Sequence, residues 1–231
     1  MTSPKLKANH FISDASGERN HLWRSNIILL VALFSLIFVA PLLDHLSTFV
    51  ANSALIVVVL SGIYAADYRK HVFNILLAFG FLVLISMGVS FIFPDNRALN
   101  VIPFLLTACS LVFSSIALVG HVSHAKTVEK STVLCAINSY LLLGLTASIL
   151  FLLLDLVIPS SFSQIVAGPG SLSNFVYYGF VTLSTLGYGD ITPAEPLARS
   201  LAIFTALGGQ LYLVIVMALI IGKFLNSQNQ K

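Results

Sequence analysis

The sequence predicts an all-α membrane protein, and the support comes from its composition, the length of its apolar runs and the polar breaks between them. Of the 231 residues, 57% are hydrophobic and only 9% are charged, whereas a soluble domain carries about 25% charged residues. The apolar runs approach the ~20 residues that a helix needs to cross a hydrocarbon core of about 30 Å. Such a chain lacks the polar surface to face water on all sides, so we expect helices that span a lipid bilayer.

Six membrane spans can be placed in order along the chain. They are predicted at Ile27–Leu43, Leu46–Ala66, Val72–Phe93, Ala98–Val122, Thr132–Ile158 and Leu197–Leu225. The segment between the last two is too polar to span, and its one apolar stretch, Phe175–Leu183, is long enough to go about halfway. Irregular backbone at membrane depth is tolerated only where protein or a water-filled cavity satisfies it. We therefore expect six transmembrane helices with a re-entrant helix and a loop between the fifth and the sixth.

The lysines and arginines predict how these spans are oriented. With the N-terminus inside, ten of the 12 Lys and Arg residues fall on cytoplasmic segments, and only Arg97 and Arg199 fall outside. This is the bias that the positive-inside rule describes. Both termini are therefore expected in the cytoplasm, in a cell or inner membrane, and the loop before the last span is expected outside. The predicted parts are a cytoplasmic segment, a four-helix peripheral transmembrane domain, a cytoplasmic linker, a C-terminal transmembrane unit and a short cytoplasmic tail: residues 1–26, 27–122, 123–131, 132–225 and 226–231.

The outer loop carries the most informative run of residues. Directly after the half-length helix come Thr185, Leu186, Gly187, Tyr188, Gly189 and Asp190. Where four such loops meet, the carbonyls of residues 185–188 and the Thr185 hydroxyl would form oxygen rings that replace the hydration shell of K⁺. Successive carbonyls face one way only if alternate residues take unusual dihedral angles. Gly187 and Gly189 take positive φ cheaply, which is not expected of a β-branched residue, and Tyr188 is expected to point away from the axis.

At these residues the chain resembles the pore module of potassium channels of the six-transmembrane, one-pore type. The resemblance covers about Thr132–Leu225 and implies that residues 132–225 form a pore domain whose selectivity filter is Thr185–Gly189. It also implies that Phe175–Ser184 is the pore helix, whose C-terminal end aims a partial negative charge at the central cavity.

The same resemblance assigns the residues that support the filter. Tyr177 and Tyr178 stand where many family members carry an aromatic pair, and Asp190 matches the acid just outside the filter, where it is expected to hydrogen-bond Tyr178 and attract cations. The chain departs from the family at Leu186, where valine is commoner. It departs again at Val181, where some relatives carry a buried glutamate, so inactivation that depends on that glutamate is not expected.

By the same resemblance, the last span is the inner helix that lines the pore. Gly208 and Gly209 lie in its middle, where they form either a hinge that opens a cytoplasmic gate or a contact that lets helices approach closely. Residues at three- and four-residue spacing share one helical face, which is expected to line the cavity: Gln210, Leu213, Met217 and Ile221. The polar member, Gln210, is expected either to be hydrated in the cavity or to hydrogen-bond a neighbouring helix.

The first four spans match the voltage-gated layout in position only. Residues 100–122 contain no Lys or Arg, whereas a voltage sensor needs several charges, each worth about 2.3 kcal/mol per 100 mV. Weak or absent voltage sensing is therefore expected.

Three other ionisable residues stand out. Asp155 is expected near the membrane interface, and His121 and His124 are expected to be solvated, with pH sensing left open.

The expected function is passive K⁺ conduction across a lipid bilayer. One loop cannot surround an ion, so the resemblance implies a homotetramer. K⁺ is the permeant ion, and no cofactor, nucleic-acid partner or enzymatic activity is expected. Two alternatives stay open: a cation channel that separates K⁺ poorly from Na⁺, and a non-conducting regulatory subunit that keeps the pore fold.

Overall fold

A computed structural model describes seven helices and one short strand pair. The described residues are 20–39, 42, 48–65, 70–93, 96–125, 128–163 and 171–228. The helices are α1 (Asn20–Val39, with a π-helical turn at Ser35–Val39), α2 (Thr48–Ala65), α3 (Lys70–Ile92), α4 (Arg97–His124), α5 (Lys130–Val157), α6 (Ser171–Leu183) and α7 (Pro196–Gln228). Strands β1 (Phe162–Ser163) and β2 (Thr192–Pro193) pair antiparallel.

Five helices of the described chain are long and apolar enough to cross a membrane. They are Asn20–Val39, Phe73–Ile92, Leu99–His124, Lys130–Val157 and Pro196–Asn226. The second predicted span corresponds to α2, whose apolar part, Asn52–Ala65, is shorter. The predicted class, an all-α membrane protein, is confirmed, and the count of six spans stays a prediction.

The N-terminal boundary of the first span is predicted too late. The sequence places the boundary at Ile27, whereas the described helix already includes Asn20. Ser25 and Asn26 are polar, which is why they look like a flanking segment, but both are fully buried. Their polar atoms are satisfied within the protein: the Ser25 hydroxyl and the Asn26 amide each donate to the Leu22 carbonyl. The rest of the predicted segment 1–26, residues 1–19, lies outside the described residues.

Helix α1 is fixed to α5 by a buried pair of asparagines. The side-chain amide of Asn138 donates to the Asn26 carbonyl at 2.8 Å and to the Asn26 side-chain oxygen at 3.0 Å. A buried amide left without partners would cost about 1–3 kcal/mol, so this pairing specifies where α1 sits. The π-helical turn at the other end of α1 contacts α6. Helix α1 therefore packs on the C-terminal unit as well as on α2.

The fourth and fifth helices form a tight hairpin. Helix α4 ends at His124 and α5 begins at Lys130, so the short linker makes the two helices antiparallel neighbours. They share the most extensive helix-to-helix contact of the described chain. The α4 helix thus lies along the α5 helix of its own chain.

Helix α6 is docked on α5 by small residues and a cluster of aromatic rings. A Cβ at Gly179 would overlap Ser148 of α5, and one at Gly144 would meet the Phe180 ring. Above these contacts lie four buried aromatic side chains whose ring centroids are 4.8–5.5 Å apart: Phe151, Phe162, Phe175 and Tyr178. This packing fixes the end of α6, from which the loop of interest departs.

The glycine contact predicts a position-dependent effect of adding one methyl group. Gly179→Ala should destabilise the protein by about 1–3 kcal/mol, because the Ser148 backbone lies within 3.0 Å of the new Cβ and must shift. Gly88→Ala in α3 is the matched control, since nothing lies within 4 Å of its Cβ. Thermal unfolding of purified protein in detergent measures both, at roughly 2–4 °C per kcal/mol. Equal unfolding temperatures for the two variants would show that the close approach of α5 and α6 is not required.

Candidate ion-selectivity site

The loop begins as a C-terminal cap of α6. The Leu186 amide donates to the Val181 carbonyl at 2.9 Å, and the Thr185 amide donates to the Thr182 carbonyl at 3.0 Å. This pair of bonds is the Schellman motif, which satisfies carbonyls that a helix end leaves unpaired. The motif requires a left-handed residue, and Thr185 takes that position with φ +59°.

Positive φ then recurs at every second residue of the loop. Thr185, Gly187 and Gly189 have φ of +59°, +56° and +82°. The two glycines adopt the predicted backbone conformation. Thr185 also takes positive φ, although a β-branched residue does not do so cheaply, because the helix cap enforces it. The left-handed conformation costs a non-glycine residue roughly 1–2 kcal/mol, which indicates that this position is occupied by threonine for its side chain.

The end of the loop at Tyr188 and Asp190 is held by Tyr177 of α6. Its hydroxyl donates to the Asp190 carboxylate at 2.6 Å, and its ring stacks on Tyr188 with centroids 6.5 Å apart and planes 6° apart. The predicted bond from Tyr178 to Asp190 is wrong in its donor. Consecutive helical residues point about 100° apart, and Tyr178 points the other way, into the buried aromatic cluster against Phe151.

The Tyr177 hydrogen bond also changes the acidity of Asp190. It stabilises the carboxylate and lowers the pKa of Asp190 below the usual value of 3.8. Asp190 is exposed at the end of the loop. The loop therefore ends in a carboxylate that stays charged at neutral pH.

The chain after the loop is tied back to the end of α5. Ser163 pairs with Thr192 through the strands and through their hydroxyls at 2.6 Å. The Ala194 amide donates to the Ser161 carbonyl at 2.8 Å, and the Ser161 amide in turn donates to the Asp155 carboxylate at 3.1 Å. Asp155, predicted to lie solvated at the interface, thus binds the backbone that supports the loop.

The beginning of the loop rests on α7. A Cβ at Gly209 would overlap the Leu183 carbonyl at the end of α6, whereas nothing lies within 4 Å of a Cβ at Gly208. Close packing therefore accounts for Gly209, and a hinge at Gly208 stays a prediction because α7 is one continuous helix here. This contact also places the Gln210 side-chain nitrogen 3.5 Å from the Thr185 hydroxyl oxygen.

The predicted cavity face of α7 is open in a single protomer. Its four residues are exposed: Gln210, Leu213, Met217 and Ile221.

Of the two histidines at the end of α4, His124 contacts the Gly120 carbonyl at 2.7 Å and the Ser123 hydroxyl at 3.1 Å through its Nδ1 atom. Within the described ranges, no group of three or more His, Cys, Asp or Glu residues is arranged to hold a metal ion.

The sequence does not predict two supports of the loop, the aromatic cluster and the helix cap. The aromatic cluster has a partial signal, since Phe175 and Tyr178 are three residues apart and share a face of α6. The helix cap at Thr185 has no such signal, because glycine is the usual residue at that position.

The cap geometry predicts an unusual gain in stability from a glycine substitution. Thr185→Gly should raise the unfolding free energy by about 1 kcal/mol, because glycine takes the left-handed conformation without strain. Thr182→Gly, inside α6, should lower the unfolding free energy by a similar amount. Detergent unfolding of both variants provides the comparison. A destabilised Thr185→Gly protein would mean that Thr185 is not strained.

The hydrogen bond from Tyr177 to Asp190 predicts that Asp190 loses its charge only in strong acid. The pKa of Asp190 is lower in the folded protein than its usual value of 3.8. The stability that the charged carboxylate contributes is therefore present above pH 3.8, and it is lost as the pH falls through the lower pKa of the folded state. Asp190 should therefore stay charged between about pH 5 and 8. Tyr177→Phe should raise the pKa of Asp190, and Tyr178→Phe should not. An NMR titration of the Asp190 side-chain carboxyl carbon in detergent measures this, and identical titrations for the two variants would contradict it.

Comparison with known proteins agrees with this geometry. Residues 139–226 match a protein-family model described as "Ion channel". The chain is also similar to the inward rectifier potassium channel Kirbac3.1 of Paramagnetospirillum magnetotacticum, with 38% identity over 58 residues. That alignment covers 25% of this chain and 20% of the relative, so the chain spans about a fifth of the relative's length. No solved structure matches. Residues 139–226 are therefore similar to ion-channel domains, and a 58-residue stretch of the chain is similar to a potassium channel.

Proposed function

We propose that four copies of this chain form a potassium-selective channel. The observation that carries the proposal is the alternation of positive φ at Thr185, Gly187 and Gly189, anchored directly to the cap of α6. Alternation of this kind is what a row of carbonyls facing one axis requires. The carbonyls of residues 185–188 and the Thr185 hydroxyl then replace the water around K⁺.

The surface of α7 supports assembly into a tetramer. Large apolar side chains are 58–72% exposed along this helix in a single protomer: Ile203, Phe204, Leu207, Leu211 and Val214. They lie beside the exposed Gln210, which a lipid environment alone does not satisfy. Neighbouring copies cover the apolar side chains and leave the Gln210 face on a water-filled axis. Each chain contributes one loop, so four copies complete the rings.

The charges around this axis favour a cation. Helix α6 ends at Leu183, directed at the proposed cavity, with the partial negative charge of a helix C-terminus. Asp190 adds a full negative charge at the outer end, where it raises the local concentration of K⁺. We propose that both chain termini are cytoplasmic, in a cell or inner membrane, as the distribution of Lys and Arg implies.

Intrinsic voltage sensing is weak in this proposal. Residues 100–122 of α4 carry no Lys or Arg, so movement of this helix transfers almost no charge through the field. The alternatives are a cation channel with poor K⁺/Na⁺ selectivity and a non-conducting subunit. The intact Gly187-Tyr188-Gly189 run argues against the first, because non-selective relatives usually alter that triplet.

Planar-bilayer recording of the purified protein tests selectivity and gating together. With a high K⁺ concentration on one side, and a low K⁺ concentration balanced by Na⁺ on the other, the current should reverse near the K⁺ equilibrium potential. Open probability should change little with voltage. Gly187→Ala should abolish this selectivity, because its φ of +56° is strained for alanine. Gly88→Ala, with no neighbour within 4 Å, should behave like the unmodified protein.

Each alternative gives a different result. A reversal potential near zero in the unmodified protein identifies a poorly selective cation channel. No current from an intact tetramer favours the non-conducting subunit. Steep voltage dependence with several gating charges would contradict the assignment of α4 as a helix without sensor charges.

A further inference from the structure

The end of α7 is hydrogen-bonded to the end of α4. The Lys223 ammonium donates to the Val122 carbonyl at 2.6 Å and to the Ser123 carbonyl at 2.8 Å. These carbonyls belong to the last turn of α4, where a helix leaves its acceptors unpaired. The turn also carries the partial negative charge of the helix dipole, which a cation stabilises. One lysine therefore joins the last helix to the peripheral helices.

Lys223 points away from the proposed channel axis. It follows Ile221 by two residues, which places it about 200° around the helix from that member of the cavity face. Helix α4, to which Lys223 binds, packs along α5. The hydrogen bonds thus pull the end of α7 outward, toward the periphery.

A second contact fixes α7 nearer its middle, at Tyr212. The Tyr212 hydroxyl donates to the Ala136 carbonyl of α5 at 2.7 Å and also contacts the Ser139 hydroxyl. From Tyr212 to Lys223 the helix runs about 16 Å. This stretch carries Leu213, Met217 and Ile221, three of the four proposed cavity residues. The lower half of α7 is therefore held at Tyr212 on α5 and at Lys223 on α4.

We propose that Lys223 and the last turn of α4 form a latch that holds the cytoplasmic end of α7 away from the axis and so favours the conducting state. The inference rests on the proposed channel function. While the latch is closed, the four α7 ends cannot converge on the axis. A stimulus that shifts α4 opens the latch and lets the pore close. The peripheral helices thereby control conduction through hydrogen bonds instead of through gating charges.

Single-channel recording of three variants tests the latch. Lys223→Met keeps an unbranched apolar side chain one atom shorter than lysine and removes its donors, and it should lower the ratio of open to closed time about tenfold. Unit conductance and reversal potential should not change, because residue 223 faces away from the axis. Lys223→Arg should restore the ratio, since the guanidinium donates to the same carbonyls. Lys130→Met is the matched control: Lys130 is the exposed first residue of α5 on the same side.

The outcomes separate the latch from the proposed function. An unchanged ratio in Lys223→Met, or an increased one, would overturn the latch while the K⁺ channel stands. Absence of current from the unmodified protein overturns the channel instead.

If Lys223→Met yields no folded protein, or if the unmodified protein does not conduct, the latch is tested by lysine acetylation of the unmodified protein, followed by mass spectrometry. A closed latch should slow acetylation of Lys223 at least tenfold relative to Lys130, and equal rates would overturn it.

Discussion

The C-terminal cap of α6 is the constraint on which the rest of the site depends. Two backbone hydrogen bonds, from Thr185 and Leu186 to the last turn of the helix, reverse the chain and start the loop in a left-handed conformation. The strain at Thr185 is about 1–2 kcal/mol, and α6 itself is held against α5 by buried aromatic packing. Because the loop begins in this conformation, the two glycines that follow can continue the alternation. A loop attached to a flexible segment would have no such starting point.

Each end of the loop is supported by a different part of the chain. At its far end, Tyr177 contacts both Tyr188 and Asp190, and the strand pair ties the following residues to the end of α5. At its beginning, Gly209 lets α7 approach the end of α6 closely enough to bring Gln210 beside Thr185. The same α7 helix continues to Lys223 and its contact with α4. The loop, the proposed pore-lining helix and the peripheral helices are thus joined through packed and hydrogen-bonded contacts.

The sequence predicts much of this fold because long apolar runs and short polar breaks determine where membrane helices lie. It fails at the start of α1, since Ser25 and Asn26 are polar yet buried, and only their neighbours in space reveal that. It identifies Tyr177 and Tyr178 as an aromatic pair but not Tyr177 as the donor to Asp190. Which of two adjacent side chains points toward Asp190 depends on how α6 is rotated against α5. The positive φ of Thr185 could not be predicted from propensity, because the hydrogen bonds of a cap override it. The contact of Lys223 with α4 is between residues about 100 positions apart, and no local pattern marks it.

The proposed K⁺ selectivity requires that residues 185–188 present rings of oxygen atoms to K⁺ on a fourfold axis. The most direct measurement is an experimental structure of the assembled protein with K⁺ replaced by Tl⁺, whose anomalous scattering locates the ion. We expect anomalous density on the axis, level with the carbonyls of residues 185–188, and no such density when Na⁺ is the cation. A well-ordered assembly with no axial density in Tl⁺, or with these carbonyls turned away from the axis, would contradict it.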